Sequence, residues 1–276
     1  MSGDGCPALP TDHVCWRHDD PAAFEAAARA FLTVGLAAGE ELWFVTERDP
    51  AGAREWLAAV PGLADALRDG SARVVPLDGT YVDGRVADPA AQVRAYAEAT
   101  EAALAAGHAG LRVVAEATGL VRTPRQRVAF TRYEHLIDGY MRAHPFSAMC
   151  VYDPRELGAA AVAELACLHP AGNVDDVLFR LYAAGRGRTG LAGELDRSAR
   201  DLLATALERA APRPVDGRVV FEAGRLRFAD HRCLQLLGEY ARGLGAVAVL
   251  RVLPGVGVAR LVDLLGLPGI RVEAAR

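Results

Sequence analysis

The sequence predicts an α/β protein built of two units, and three observations carry that expectation. Short apolar strands alternate with helical segments along the whole chain. The alternation resets at residues 170–176 (PAGNVDD). The 276 residues, 51% hydrophobic and 24% charged, suffice to bury one large core or two ordinary ones.

The elements follow in order. Asp20-Pro21 reads as an N-cap followed by Pro at the first helical position; Phe24, Ala28, Phe31 and Gly35 then recur at helical spacing until Gly39. Residues 42–45 (LWFV) are a continuous apolar run, as in a strand buried on both faces. Pro50 opens a helix, residues 73–77 form a weaker strand, and Asp88-Pro89 caps a long Ala-rich helix ending at Gly107. LRVVA at 111–115 is a strand, Thr123-Pro124 begins a helix, 148–152 is a strand, and Pro154 starts a further helix. In the second unit, FRLYAAG and GLAGELD read as strands, followed by a helix over 198–210. RVVFEA, a helix from His231, AVAVLRV, a helix over 255–267 and GIRVE complete it.

Composition excludes several chemistries. The chain has no lysine; all 31 basic residues are arginine. A P-loop, a protein-kinase fold and Schiff-base catalysis each need an amine that arginine does not supply. The net charge of −4 argues against a general nucleic-acid surface. No apolar run approaches the ~18 residues of a membrane span, and the N-terminus has no signal-peptide pattern. Five scattered cysteines form no CxxC pair, so a reduced cytoplasmic compartment is expected.

A parallel sheet binds ligands beyond the carboxyl ends of its strands. Thr46-Glu47, Glu116 with Thr118, and Tyr152-Asp153 occupy such ends and mark a candidate rim. His13 and Cys15, two apart, share one face of a strand; with Cys150 and His169 they offer two nitrogens and two sulfurs to zinc, or else fill a core. Arg112, Glu116 and Glu134 form either a pocket network or structural salt bridges. Tyr133, Tyr152, Trp16 and Trp43 line an apolar cavity or pack as core.

Residues 183–276 resemble the STAS family of anti-sigma-factor antagonists, through LAGELD at 191–196, the strand–loop segment VVFEAGRLRFADHRCLQLL at 219–237, and the closing VARLVDLLGLPGIRVE. The resemblance implies docking on a protein partner around Glu222, Asp230, His231, Arg232 and Cys233. His231 stands where the family's phosphorylated serine would be, so a serine phospho-switch is not expected.

Residues 11–172 resemble the MEDS sensory domain. The matching residues are His13-Val14-Cys15-Trp16, Gly35-x-x-x-Gly39-Glu40 leading into LWFVTE, Tyr81 with Gly84, Gly110-Leu111-Arg112 running to Glu116, Tyr133-Glu134, residues 149–153 (MCVYD), and His169-Pro170. Gly119 replaces an aromatic that often follows Glu116-x-Thr118. The resemblance implies a RecA-like, mostly parallel sheet without its Walker A loop, and small-molecule sensing.

Together these readings divide the chain into a 1–10 tail, a sensory unit at 11–172 and a smaller α/β STAS-like unit at 173–276. The expected function is non-enzymatic signalling. The ligand-binding candidates are His13, Cys15, Trp16, Glu47, Tyr81, Arg112, Glu116, Tyr133, Glu134, Cys150, Tyr152, Asp153 and His169. The expected partner is an anti-sigma factor or an anti-sigma kinase-like protein, with a homodimer as a further option. No nucleic acid or membrane is expected to bind. No cofactor is expected, with zinc the alternative. The competing readings are a constitutive STAS antagonist with a structural first unit, and an enzyme using Glu116, His13 or Cys15.

Overall fold

The computed structural model describes residues 13–81, 88–185, 187–255 and 257–275. The expected 1–10 tail and Gly84 lie outside them. The first unit runs β1 (His13–Arg17), α1 (Pro21–Ala38), β2 (Glu41–Thr46), α2 (Pro50–Ala58), α3 (Leu63–Asp69), β3 (Ala72–Pro76), α4 (Leu77–Thr80), α5 (Pro89–Ala105), β4 (Leu111–Glu116), α6 (Pro124–Met141), β5 (Phe146–Tyr152), α7 (Pro154–Leu157), α8 (Ala159–Ala166) and β6 (Ala171–Gly172).

The helix starts obey local capping chemistry. Asp20 and Asp88 accept backbone N–H groups ahead of proline-led α1 and α5. Thr123 and Gln126 form a reciprocal capping box at α6. Gly39 ends α1 at φ 75°, a left-handed conformation that suits glycine.

The first sheet has strand order β3-β2-β4-β5-β1-β6, with every pairing parallel. One face carries α1, α2 and α3, whose Phe24, Phe31, Leu57 and Leu63 pack on Phe44 and Val114. The other face carries α5, α6 and α8 over Val113, Ala148 and Cys150. The helix α3 has no counterpart in the sequence expectation. It is seven residues long and begins at Gly62 without a side-chain cap, so no N-terminal signal marks it.

The second unit runs β7 (Phe179–Ala183), β8 (Thr189–Leu195), α9 (Arg200–Ala210), β9 (Arg218–Ala229), α10 (His231–Gly243), β10 (Val247–Val252), α11 (Val258–Leu265) and β11 (Ile270–Ala274). Its sheet has order β11-β10-β9-β8-β7, parallel except for the β7–β8 hairpin. The strand β9 extends to Ala229, where the sequence reading placed a loop. Buried Leu226 and Ala229 hold it on the sheet, and register shifts opposite Gly190–Ala192 and Gly193–Glu194 absorb the extra residues.

The expected boundary near residue 172 is tied into the first sheet. β6 pairs with β1, and the Asn173 side chain accepts from Arg17 N (2.6 Å) and donates to Arg17 O (3.0 Å). Leu181 N donates to Cys167 O (2.6 Å), joining β7 to the end of α8. Leu203 and Leu207 of α9 belong to the same apolar core as Ile137 and Met141 of α6, so the two units share one interior. No described helix is long and apolar enough to cross a membrane.

Candidate functional site

The structure divides the expected ligand-binding residues among four places. The first is a buried polar cluster between β1, β5 and α6. Strand alternation turns His13 and Cys15 toward α6, and the register sets Cys15 opposite Cys150. On α6, Glu134 and Asp138 lie four residues apart and so share one helix face. His169 enters from the turn after α8. His13, Glu134, Cys150 and His169 are all buried, and one potential ligand atom from each falls within 4.8 Å of the others.

The hydrogen bonds are specific. His13 Nε2 lies 2.7 Å from Glu134 Oε2, and His13 Nδ1 lies 3.2 Å from Asp138 Oδ1. Tyr152 Oη donates to Glu134 Oε1 (3.2 Å). The Nδ1 of His169 donates to Leu165 O (3.0 Å), which leaves Nε2 with the lone pair. That Nε2 lies 3.2 Å from Glu134 Oε2 but off the hydrogen-bonding direction. The two imidazoles stack with centroids 4.2 Å apart.

Electrostatics follow from these contacts. Burial works to lower the His13 pKa, but Asp138 and then Glu134 overcome it and hold it up at about 9. Burial and the neighbouring His13 charge depress His169, which is therefore neutral. Burial opposes ionisation of Glu134, yet the protonated His13 hydrogen-bonded to it holds its carboxyl well below the usual range. Burial also raises the thiols of Cys15 and Cys150.

The second place is aromatic core. Tyr81, Tyr96, Phe130, Tyr133 and Phe146 pack in edge, tilted and stacked pairs 5.2–6.3 Å apart, and the Tyr81 and Tyr96 hydroxyls meet at 3.3 Å. Of the two readings offered for Tyr133, Tyr152, Trp16 and Trp43, a shared cavity or core, these residues pack as core on opposite faces of the sheet. Trp16 packs on the α1 side, while Tyr152 faces α6, the helix that carries Tyr133, because adjacent strand residues point to opposite faces.

The third place is the opposite face of the sheet. Arg112 points toward α1, where its Nε donates to Glu40 Oε2 (2.5 Å) and its guanidinium lies 4.5 Å from the Phe31 ring centroid. The expected network of Arg112, Glu116 and Glu134 is thus replaced by separate sites. Glu134 lies across the sheet, and Glu116 sits at the strand end.

The fourth place is the rim. Glu116 binds Thr46 and Arg48, Glu47 pairs with Arg122 (3.0 Å), and Arg155 pairs with Asp153 (2.6 Å), which also caps α7. A Cβ at Gly119 would meet the Glu47 carboxylate, the movable end of a half-exposed side chain, so a larger residue there would require Glu47 to shift. Arginines thus neutralise the rim carboxylates.

In the second unit, Asp230 caps α10 by accepting from Cys233 N (2.8 Å), and His231 and Arg232 are exposed on its first turn. Glu222 is half-buried between Arg188 (2.7 Å) and Arg251 (3.0 Å). Cys233 does not belong to a docking surface. It is fully buried and its thiol donates to Asp196 O (3.2 Å), because the third position of an amphipathic helix turns inward.

Two features escaped the sequence reading. Asp138 joins the cluster and also accepts from Ala183 N of β7 (2.6 Å); its spacing from Glu134 was the available signal. A cleft of about 700 Å³ lies where α5 and α6 meet β7, β8 and α9. Arg132, His135, Arg188 and Arg213 border it, with Leu136 and Val215 supplying apolar wall.

Comparison with known proteins gives one family. A model described as MEDS, MEthanogen/methylotroph, DcmR Sensory domain, matches residues 12–170. No curated protein matches the chain. No solved structure matches it either.

Proposed function

The chain belongs to the MEDS family of sensory domains, and on that premise we propose that it is a non-enzymatic, cytoplasmic signalling regulator. In this reading the first unit takes up a small molecule, and the second, STAS-like unit docks on an anti-sigma factor or an anti-sigma kinase-like protein. The placement of α6 carries the reading. Its Glu134 and Asp138 enter the buried cluster of the first unit, while its Arg132, His135 and Gly139 border the cleft against the second. One carboxylate, Asp138, accepts from His13 of β1 and from the Ala183 backbone of β7. A change at either place therefore has a short physical path to the other.

The ligand seat in this reading is the interunit cleft rather than the strand-end rim, whose carboxylates are already bound by arginines. Arg132 and Arg213 on its border, with Asp88 nearby and an apolar wall, suit a small carboxylate with a hydrocarbon body. A ligand touching both units favours one arrangement of the two, as a population shift requires. Exposed His231 and Arg232, beside a Phe228 that is 50% exposed, offer the partner a cationic and apolar patch.

Thermal melting of the full chain against a panel of short-chain carboxylates tests the proposal. A ligand at about 100 times its Kd adds about 2.7 kcal/mol, which raises Tm by several degrees. Arg213→Ala should reduce that shift. A panel without any shift, or a shift unchanged by Arg213→Ala, contradicts the assignment of the cleft.

A further inference from the structure

We propose that His13 Nε2, His169 Nε2, Cys150 Sγ and one Glu134 carboxylate oxygen hold a zinc ion in a closed, four-ligand site. The four residues are buried and their donor atoms already lie within 4.8 Å of one another. Tetrahedral zinc, with bonds of about 2.0–2.3 Å, places its ligand atoms roughly 3.3–3.7 Å apart, so small side-chain adjustments complete the shell.

The outer contacts orient the donors. His13 presents Nδ1 to Asp138, and His169 presents Nδ1 to the Leu165 carbonyl. Ligating histidines are commonly held this way, with the far ring nitrogen tied to a carboxylate or carbonyl. His13 Nε2 hydrogen-bonds Glu134 Oε2 at 2.7 Å, and His169 Nε2 lies 3.2 Å from the same oxygen. The second of these contacts is not a hydrogen bond. His169 Nε2 is fully buried and has no hydrogen-bond partner. A bare buried acceptor facing a carboxylate is unfavourable, and a cation between them removes the conflict.

The donor set selects the metal. Two imidazoles, one thiolate and one carboxylate suit a borderline ion with tetrahedral preference. Loading exchanges protons for metal: the proton held between His13 Nε2 and Glu134 leaves, as does the thiol proton of Cys150. Two protons out and one divalent ion in leaves the net charge of the cluster unchanged. All four positions come from the protein, so the ion is structural and joins β1, β5, α6 and the end of α8.

The test uses the full chain unfolded and refolded with zinc chloride or cobalt(II) chloride. The expected result is about one metal per chain, with a thiolate-to-cobalt absorption band. Cys150→Ser should abolish that band, and Asp138→Asn should weaken retention against a chelator by about tenfold or more. X-ray absorption of the wild-type cobalt protein should show one sulfur and three nitrogen or oxygen ligands, a readout that holds even if the variants misfold. Folded wild-type protein that takes up neither ion overturns the proposal. So does undiminished binding by the Cys150→Ser, His169→Gln double variant, or a wild-type shell without sulfur.

Discussion

At the scale of residues, burial decides what each candidate can do. Cys233 shows this most simply. Burial, aided by nearby Asp230, pushes its thiol up to about 12, and its sulfur is occupied with the Asp196 carbonyl. A thiol in that state is protonated near neutral pH and is a poor nucleophile. In native protein at about pH 8, N-ethylmaleimide should leave Cys233 unmodified and should label it only after unfolding, as peptide mass mapping would read. Rapid labelling of the native chain would put Cys233 back on a docking surface. The same logic separates His13 from His231. His13 lies inside, shared by two carboxylates, while His231 is exposed at the first turn of α10. Residue identity alone did not distinguish these roles. His13, Cys150 and His169 were readable as possible ligands, but Glu134 replaces Cys15 among the atoms that converge. Only the strand register and the face of α6 reveal that exchange.

At the scale of elements, the short motifs acquire physical causes. Gly35 lets α1 approach the sheet: a Cβ there would lie 2.6 Å from Arg112 Cδ and 2.7 Å from Leu42 Cδ2. The Gly35-x-x-x-Gly39 spacing thus combines a close approach with a left-handed helix end. Gly35→Ala should destabilise the protein by about 1–3 kcal/mol, because the Arg112–Glu40 pair and Leu42 must shift in a packed interior. Denaturant unfolding would measure this, and an unchanged midpoint would contradict the tight packing. Helix starts and buried strands were legible because Asp-Pro and Thr-Pro caps and apolar runs are local signals. The short α3 and the tail of β9 were not. α3 lacks a cap, and β9 is held past Ala223 by pairing with β8, which is a non-local cause. The pairing of the rim carboxylates was hidden for a related reason. Arg48, Arg122 and Arg155 sit far from some of their carboxylate partners in sequence, so the neutralisation appears only in three dimensions.

At the scale of the whole molecule, the two units were legible and their union was not. The sequence resets near residue 172, yet Leu203 and Leu207 of α9 share a core with Ile137 and Met141 of α6. The hydrogen bond from Ala183 N to Asp138 adds a polar tie through the same helix. The central claim is that the buried cluster of the first unit and the second unit are mechanically connected through α6. Hydrogen exchange along the full chain, comparing wild type with His13→Gln, tests it most directly. The substitution lies one residue beyond Asp138 in the path, and the hydrogen bonds and ring contact of His13 are to Glu134, Asp138 and His169 of the first unit. Faster exchange should appear in α6, β7 and α9, while α2 and α3 on the far face of the first sheet keep wild-type protection. Changes confined to β1, β5 and α6, with β7 and α9 unaltered, would contradict the connection.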